Sequence, residues 1–358
     1  MTDCCYSRVS WLIGVMLCLG SLTAQVDQPR SVRQLYAFFD QQLADSLSPN
    51  VHPQYPKVSA AASYGLNFLN GRFGNLFEIP RYWSTDFRAG AQTTGRRLYE
   101  QLYHYPEWGG GISLTNFVND TLFGSPLAAY GYVDLPLVDY APDRRWNIGF
   151  RMATGLSTKF RTYDPADNPD NLFISAPLNV YIDVGGWLGL RISPRLDLRG
   201  SASLVHFSNG ALREPNRGIN VFGARLQLQY HLLERPRVYR RTDIPEWTSR
   251  HGWFVYQAIG SKQLSIDGPR YLNTTTGLGY QYWSGYRNRW HVQLDYFYDR
   301  SNNSGEGTRV IVPEEDRDNP ANFRRLGLFF GHEAIYNRWS LVIGGGVYVA
   351  RRYDFDSV

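Results

Sequence analysis

The sequence is poor in cysteine and in long apolar runs, and each shortage excludes a class of protein. Its three cysteines all precede residue 25, inside a predicted secretory signal peptide. The mature chain can therefore build neither a disulfide framework nor a cysteine-based metal site. No other segment reaches the roughly 18 consecutive apolar residues that a spanning helix requires, which excludes a helical membrane protein.

The chain also has only a small excess of charge of one sign. The net charge of +5 is small and evenly spread, which excludes a typical nucleic-acid-binding protein. Lys57, Lys159 and Lys262 are the only lysines, so nearly all the basic residues are arginine. Arginine suits bidentate contacts to phosphate, although a GC-rich coding bias would give the same composition.

The first 24 residues have the layout of a signal peptide. Arg8 precedes an apolar run from Trp11 to Leu22, and Ala24 is a small residue suited to cleavage. Residues 25–57 then form a leader. Its apolar residues recur at nearly helical spacing, namely Val32, Leu35, Phe39, Leu43 and Leu47. A short amphipathic helix is predicted there, with a loosely ordered segment as the alternative.

From residue 58 onward, apolar residues alternate with polar or small ones, which is the period of a β-strand with two different faces. The segments of about ten to fourteen residues are longer than the strands of a soluble sandwich. Aromatic residues make up 15% of the chain, and tryptophans near the strand ends resemble the girdles of outer-membrane barrels. The predicted strands are 58–69, 83–94, 106–117, 126–137, 145–157, 176–191, 195–208, 219–232, 251–263, 270–283, 289–300, 323–335 and 338–350.

This pattern predicts an all-β fold, an antiparallel transmembrane β-barrel of about 12–14 strands. Short turns alternate with long connections, as the periplasmic turns and outer loops of such barrels do. A long periplasmic linker, 233–250, separates an eight-strand block, 58–232, from additional strands in 251–358. Because thirteen predicted strands is an odd number, we expect the C-terminal part to be truncated or its closure imperfect. The strand near 338–350 should then lie at an unpaired edge.

Three polar side chains are predicted to meet at the outer rim of the lipid-facing wall. Alternation places His206 and Ser208 on the same side of one strand, about 6.5 Å apart. Folding the next strand back as a hairpin places Asn220 opposite His206. A hydroxyl beside an imidazole that a third group orients is the arrangement of an activated nucleophile. The alternative is that these residues merely lie at headgroup level, where polar side chains cost little.

The opposite faces of the same two strands are predicted to line the lumen. These inward-facing residues include Arg199, Ser203, Arg225 and Gln227.

The residues around this site resemble the lipid A 3-O-deacylase family, whose members are also known as acyloxyacyl hydrolases. The similarity is carried by His206-Phe207-Ser208-Asn209-Gly210, Pro215-Asn216 and Gly218-Ile219, and for the long-chain members also by Tyr105-Pro106-Glu107-Trp108-Gly109 and Arg195-Leu196-Asp197-Leu198. The resemblance implies an outer-membrane β-barrel that removes an ester-linked acyl chain from lipopolysaccharide. It also implies that Ser208 is the nucleophile and His206 its general base. It further implies that Asn209 and Asn216 lie near the oxyanion. Gly210 and Glu214 are additional candidates for binding the oxyanion or orienting the site.

The sequence departs from this family at one position. The best-known short members carry glutamate where this chain has Asn220. An asparagine orients an imidazole but does not balance the charge of an imidazolium. Glu214, in the loop, is the nearest acidic substitute, so either residue is a candidate for supporting His206.

The expected function is therefore that of a bacterial outer-membrane esterase acting on lipid A. Its expected partners are lipopolysaccharide, or another outer-leaflet glycolipid, and the outer membrane, with no nucleic acid. A Ser/His mechanism needs neither a cofactor nor a metal, and none is expected. The alternative is a non-catalytic barrel, for passive transport or as a structural porin, that keeps a relic site.

Overall fold

The computed structural model describes residues 14–16, 54–68, 81–139, 144–234, 242–244, 246–303, 314–316, 319–336 and 339–352. The predicted leader helix lies outside these residues, and so does most of the predicted signal peptide. By its internal contacts the chain forms two compact units, Gln34–Asp243 and Met1–Arg33 with Ile244–Val358. The finer domain boundaries given by the sequence stay a prediction.

Alternating residues form long strands throughout the described ranges. In chain order they are β1 (Gly14–Met16), β2 (Gln54–Phe68), β3 (Arg81–Thr93), β4 (Glu107–Phe117), β5 (Gly124–Pro136), β6 (Trp146–Phe160), β7 (Asn179–Arg191), β8 (Leu196–Ser208), β9 (Ile219–His231), β10 (Arg250–Gln263), β11 (Arg270–Trp283), β12 (Asn288–Asp299), β13 (Arg324–Tyr336) and β14 (Trp339–Ala350).

The helices of the described ranges are short. The α-helices are α1 (Leu98–Leu102), between β3 and β4, and α2 (Asp120–Phe123), between β4 and β5. Single 3₁₀ turns span Arg300–Asn303, Glu314–Asp316 and Pro320–Phe323. None of these helices has the length and apolar character needed to span a bilayer.

Strands β2 to β9 close into an eight-stranded antiparallel barrel. The barrel closes because β9 pairs back onto β2, from His231 opposite Lys57 to Asn220 opposite Phe68. The predicted all-β antiparallel barrel is therefore confirmed. Its strand number is corrected from about 12–14 to eight, because the edges of β2 and β9 satisfy each other and leave no edge for a further strand.

The second unit forms an open sheet with the strand order β1-β14-β13-β12-β11-β10. Strand β14 pairs with β13 along most of its length, whereas on its other side the described residues supply only β1. On that side β14 therefore has partners only at Val342, Ile343 and Gly344 within the described residues, and the predicted truncation or imperfect closure stays a prediction. One face of this sheet exposes apolar residues such as Trp253 and Ile259. On the other face, Asp299 pairs with Lys262 at 2.8 Å.

Side chains fill the lumen of the barrel in two layers. The end that carries Ser208 and Asn220, here named the site end, holds a buried cluster consisting largely of aromatic and branched apolar residues. Its members include Phe117, Phe123, Phe173, Ile174, Tyr181, Phe207, Ile219 and Val221.

Toward the other end, the lumen contains buried ion pairs. Glu107 pairs with Lys57 and with Arg199, and Asp134 accepts two hydrogen bonds of 2.6 Å from Arg151. These charges are tolerated inside the wall because each one faces an opposite charge at hydrogen-bonding distance.

Candidate active site

The hairpin of β8 and β9 places the three predicted site residues together. His206 pairs with Asn220 in the antiparallel register, and Phe207 pairs with Ile219. Phe207 and Ile219 are buried in the lumen, so the side chains of His206, Ser208 and Asn220 lie on the outward face, where they are half-buried. The predicted facing of these residues is confirmed.

The inward-facing set is confirmed in the same way. Arg199, Ser203, Arg225 and Gln227 are all buried, whereas their outward neighbours Leu204 and Phe222 are exposed.

The imidazole of His206 bridges the hydroxyl and the amide. Its Nε2 lies 2.8 Å from Oγ of Ser208, and its Nδ1 lies 2.7 Å from Oδ1 of Asn220. Because an amide oxygen only accepts hydrogen bonds, Nδ1 carries the proton and donates it to Asn220. Nε2 is then the free acceptor that faces the Ser208 hydroxyl. This is the tautomer that a general base beside a serine requires.

Packing inside the barrel fixes the strand segment that carries the imidazole and the hydroxyl. The ring of Phe207, between His206 and Ser208, points inward, where its centroid lies 5.4 Å from that of Tyr181 and 5.5 Å from that of Phe160. Edge-to-face and tilted aromatic contacts of this kind add specific stabilisation to simple burial. The reactive groups therefore project from a rigid segment of the wall.

The loop after Ser208 is held by asparagine side chains. The backbone N–H of Asn209 donates to Oδ1 of Asn216 at 3.0 Å. The side-chain amide of Asn209, which is buried, donates to the carbonyl of Arg213 at 2.9 Å and to Oγ of Ser175 at 3.2 Å. Asn209 and Asn216 thus come together next to Ser208 and shape the loop, while their role at the oxyanion stays a prediction.

The loop carboxylate has a different partner from the one that sequence reasoning considered. An oxygen of Glu214 accepts the backbone N–H of Asn216 at 2.9 Å, whereas the residue that meets Nδ1 of His206 is Asn220. Glu214 thus supports the turn that places Asn216.

Ser175 is the residue of this region that sequence reasoning missed. It lies between β6 and β7, is buried, and donates its hydroxyl to the carbonyl of Arg213 at 2.7 Å. A single serine 34 positions before Asn209 gives no periodic or motif signal, so only the fold brings it to the site.

Two family models match this chain. Residues 85–229 match the model described as "Lipid A 3-O-deacylase (PagL)", and residues 251–358 match the model described as "Acyloxyacyl hydrolase, C-terminal domain". The first match spans strands β8 and β9 up to residue 229 and therefore includes the whole site. No curated protein matches the chain.

Several solved structures are similar to this chain at low identity. The outer membrane enzyme PagL is 13% identical, with a TM-score of 0.34, over 48% of this chain and 97% of that one. Neisserial surface protein A is 9% identical, with a TM-score of 0.32, over 49% of this chain and 96% of that one.

Proposed function

The chain belongs to the lipid A 3-O-deacylase family, and we propose that it removes an ester-linked acyl chain from lipid A through Ser208 and His206. Family membership makes the chain a hydrolase of the bacterial outer membrane that acts on lipid A. The proposal concerns the residues and the mechanism. The observation that carries it is the imidazole held between the hydroxyl of Ser208 and the amide of Asn220.

In the first step, Oγ of Ser208 attacks the carbonyl carbon of the ester while Nε2 of His206 takes the hydroxyl proton. The tetrahedral intermediate carries its negative charge on the former carbonyl oxygen. The imidazolium then gives the proton to the sugar oxygen, which leaves as a hydroxyl group, and the acyl chain stays on Ser208. In the second step, His206 activates a water that hydrolyses the acyl-enzyme and releases the free fatty acid.

Donors for the oxyanion come from the loop that follows the nucleophile. Gly210, two residues past the end of β8, adopts a left-handed conformation with φ of 68°, and its backbone N–H is the first proposed donor. The side-chain amide nitrogen of Asn216 is the second proposed donor, since Oδ1 of the same amide accepts the N–H of Asn209, the residue after the nucleophile. Removing one such donor typically costs an enzyme about 10²- to 10³-fold in kcat.

The position of the site on the outward face suits a substrate that stays in the membrane. Lipid A carries its acyl chains in the outer leaflet, and an ester near the headgroup then reaches Ser208 sideways along the wall. The lumen plays no part in this route. Its aromatic and ion-paired filling also disfavours passive transport as the function of the barrel.

The direct test is mass spectrometry of lipid A from a bacterium that lacks any lipid A deacylase and expresses this chain. We expect a new species that is lighter by one acyl group. Correctly inserted protein with unaltered lipid A would contradict the proposed function.

Changing Asn220 to Asp is expected to raise the rate of deacylation by about 2- to 10-fold. The carboxylate accepts the same hydrogen bond from Nδ1, and its charge stabilises the imidazolium that forms in the transition state by an amount typical of a half-exposed ion pair. The measurement is kcat on lipid A in detergent micelles. Asn116→Asp, which adds the same charge to β4, serves as the control, and Asn220→Ala should lower the rate.

An unchanged rate for Asn220→Asp, with the barrel folded, would show that the added charge does not stabilise the imidazolium. A clearly lower rate for Asn220→Asp, or an unchanged rate for Asn220→Ala, would show that residue 220 does not orient His206.

A further inference from the structure

A glycine lies directly against both reactive side chains. Gly218 immediately precedes Ile219, which pairs with Phe207 in the hairpin. A Cβ atom on Gly218 would stand 3.0 Å from Cε1 of His206 and 3.4 Å from Cβ of Ser208. Cε1 is the ring carbon between the two nitrogens, so a steric contact at Cε1 would displace the ring and lengthen the hydrogen bonds of both nitrogens.

The backbone at this glycine has little freedom to retreat. Gly218 is buried, and its N–H donates to the carbonyl of Phe173 at 3.1 Å. Phe173 is itself buried in the aromatic cluster at the site end of the lumen. On the remaining side, the carbonyl of Phe207 would lie 3.2 Å from the added Cβ. An added methyl group therefore has no open space, and the imidazole is the movable neighbour.

We propose that Gly218 is a positioning residue for deacylation. Because glycine has no side chain, this position leaves the space that the His206 ring occupies. In that space Nε2 reaches Ser208 while Nδ1 reaches Asn220. Gly218 takes no proton and acts only through the ring. The inference rests on the proposed roles of Ser208 and His206.

The test measures how fast Ser208 reacts with a small fluorophosphonate. The serine oxygen attacks the phosphorus of this probe and displaces fluoride, and the rate depends on the base that activates the serine. The full chain is compared with Gly218→Ala in detergent micelles. We expect the second-order rate constant to fall by about 10-fold, because the ring must shift by a few tenths of an ångström and a misplacement of about 1 Å can cost about 100-fold. With lipid A as the substrate, kcat should fall while KM stays within about twofold, because binding of the ground state is unchanged.

A second variant separates contact with the ring from backbone strain. Gly218 has φ of +69°, a region that asparagine adopts more easily than alanine. Backbone strain therefore predicts that Gly218→Asn reacts faster than Gly218→Ala. Steric contact predicts that Gly218→Asn is at least as slow, because its side chain is larger. Gly200→Ala, on β8, is the control, because its Cβ would meet nothing within 4 Å, and it should react as the wild type does.

Three results would overturn the inference. The first is a labelling rate of Gly218→Ala within about threefold of the wild-type rate, and the second is faster labelling of Gly218→Asn than of Gly218→Ala. The third is loss of the folded barrel in Gly218→Ala, seen in gels as loss of the band whose migration changes on heating. The last would mean that the barrel, rather than the ring, requires the glycine. A wild-type chain that is not labelled at Ser208 would instead refute the proposed function itself.

Discussion

Replacing Ser208 by alanine is expected to lower the rate of lipid A deacylation by at least about 10⁴-fold, because the substitution removes the only proposed nucleophile. The barrel should stay intact, since the hydroxyl projects from the outward face and its partner is a half-buried imidazole rather than the packed lumen. The measurement combines mass spectrometry of lipid A with heat-modifiable migration of the folded barrel in gels.

The control for this change is another serine of the same strand. Ser201→Ala shortens a serine side chain on the lumen-facing side of β8, away from the His206 ring, and should leave the rate unchanged. His206→Ala should approach the loss seen for Ser208→Ala, and the double variant should be hardly worse than either single one, because residues that act as a unit are not additive. Substantial deacylation by a folded Ser208→Ala protein would eliminate the Ser/His mechanism.

The geometry of this site could be predicted from local sequence to an unusual degree. Period-two alternation and antiparallel pairing leave only the register of the hairpin undetermined. Placing the centre of the hairpin near residue 213 fixes that register. That register puts Asn220 opposite His206, as the structure has it. The same alternation puts Arg199 and Arg225 in the lumen, where both are buried.

Closure of the barrel could not be predicted in this way. Alternation shows that a strand has one lipid-facing and one lumen-facing side, but it does not show which distant strand completes the wall. The pairing of Lys57 with His231 joins positions far apart in the chain. The hydrogen bond from Asn209 to Ser175 could not be predicted from the sequence either, because the two loops meet only after the barrel has formed.

The lumen contains a second feature with a large expected effect, the buried cation of Arg225. Its guanidinium lies 2.8 Å from a carboxylate oxygen of Asp183 and 3.8 Å from one of Asp86, and its Nε donates to Ser63 at 2.9 Å. Asp86 also accepts hydrogen bonds from the hydroxyl of Tyr130 and from Arg88, so of the two carboxylates Asp183 depends more on Arg225.

Arg225→Met is expected to destabilise the barrel by about 3–5 kcal/mol, because it leaves the carboxylate of Asp183 buried without its cation. Urea titration of the refolded protein in micelles, followed by tryptophan fluorescence, measures the loss.

Arg145→Met, at an exposed arginine before β6, is the control and should change stability by less than about 0.5 kcal/mol. Combining Arg225→Met with Asp183→Asn should recover much of the loss, since the unpaired charge is then gone. If Arg225→Met unfolds at the same urea concentration as the wild type, Asp183 keeps its charge balanced by another group and the pair does not stabilise the wall.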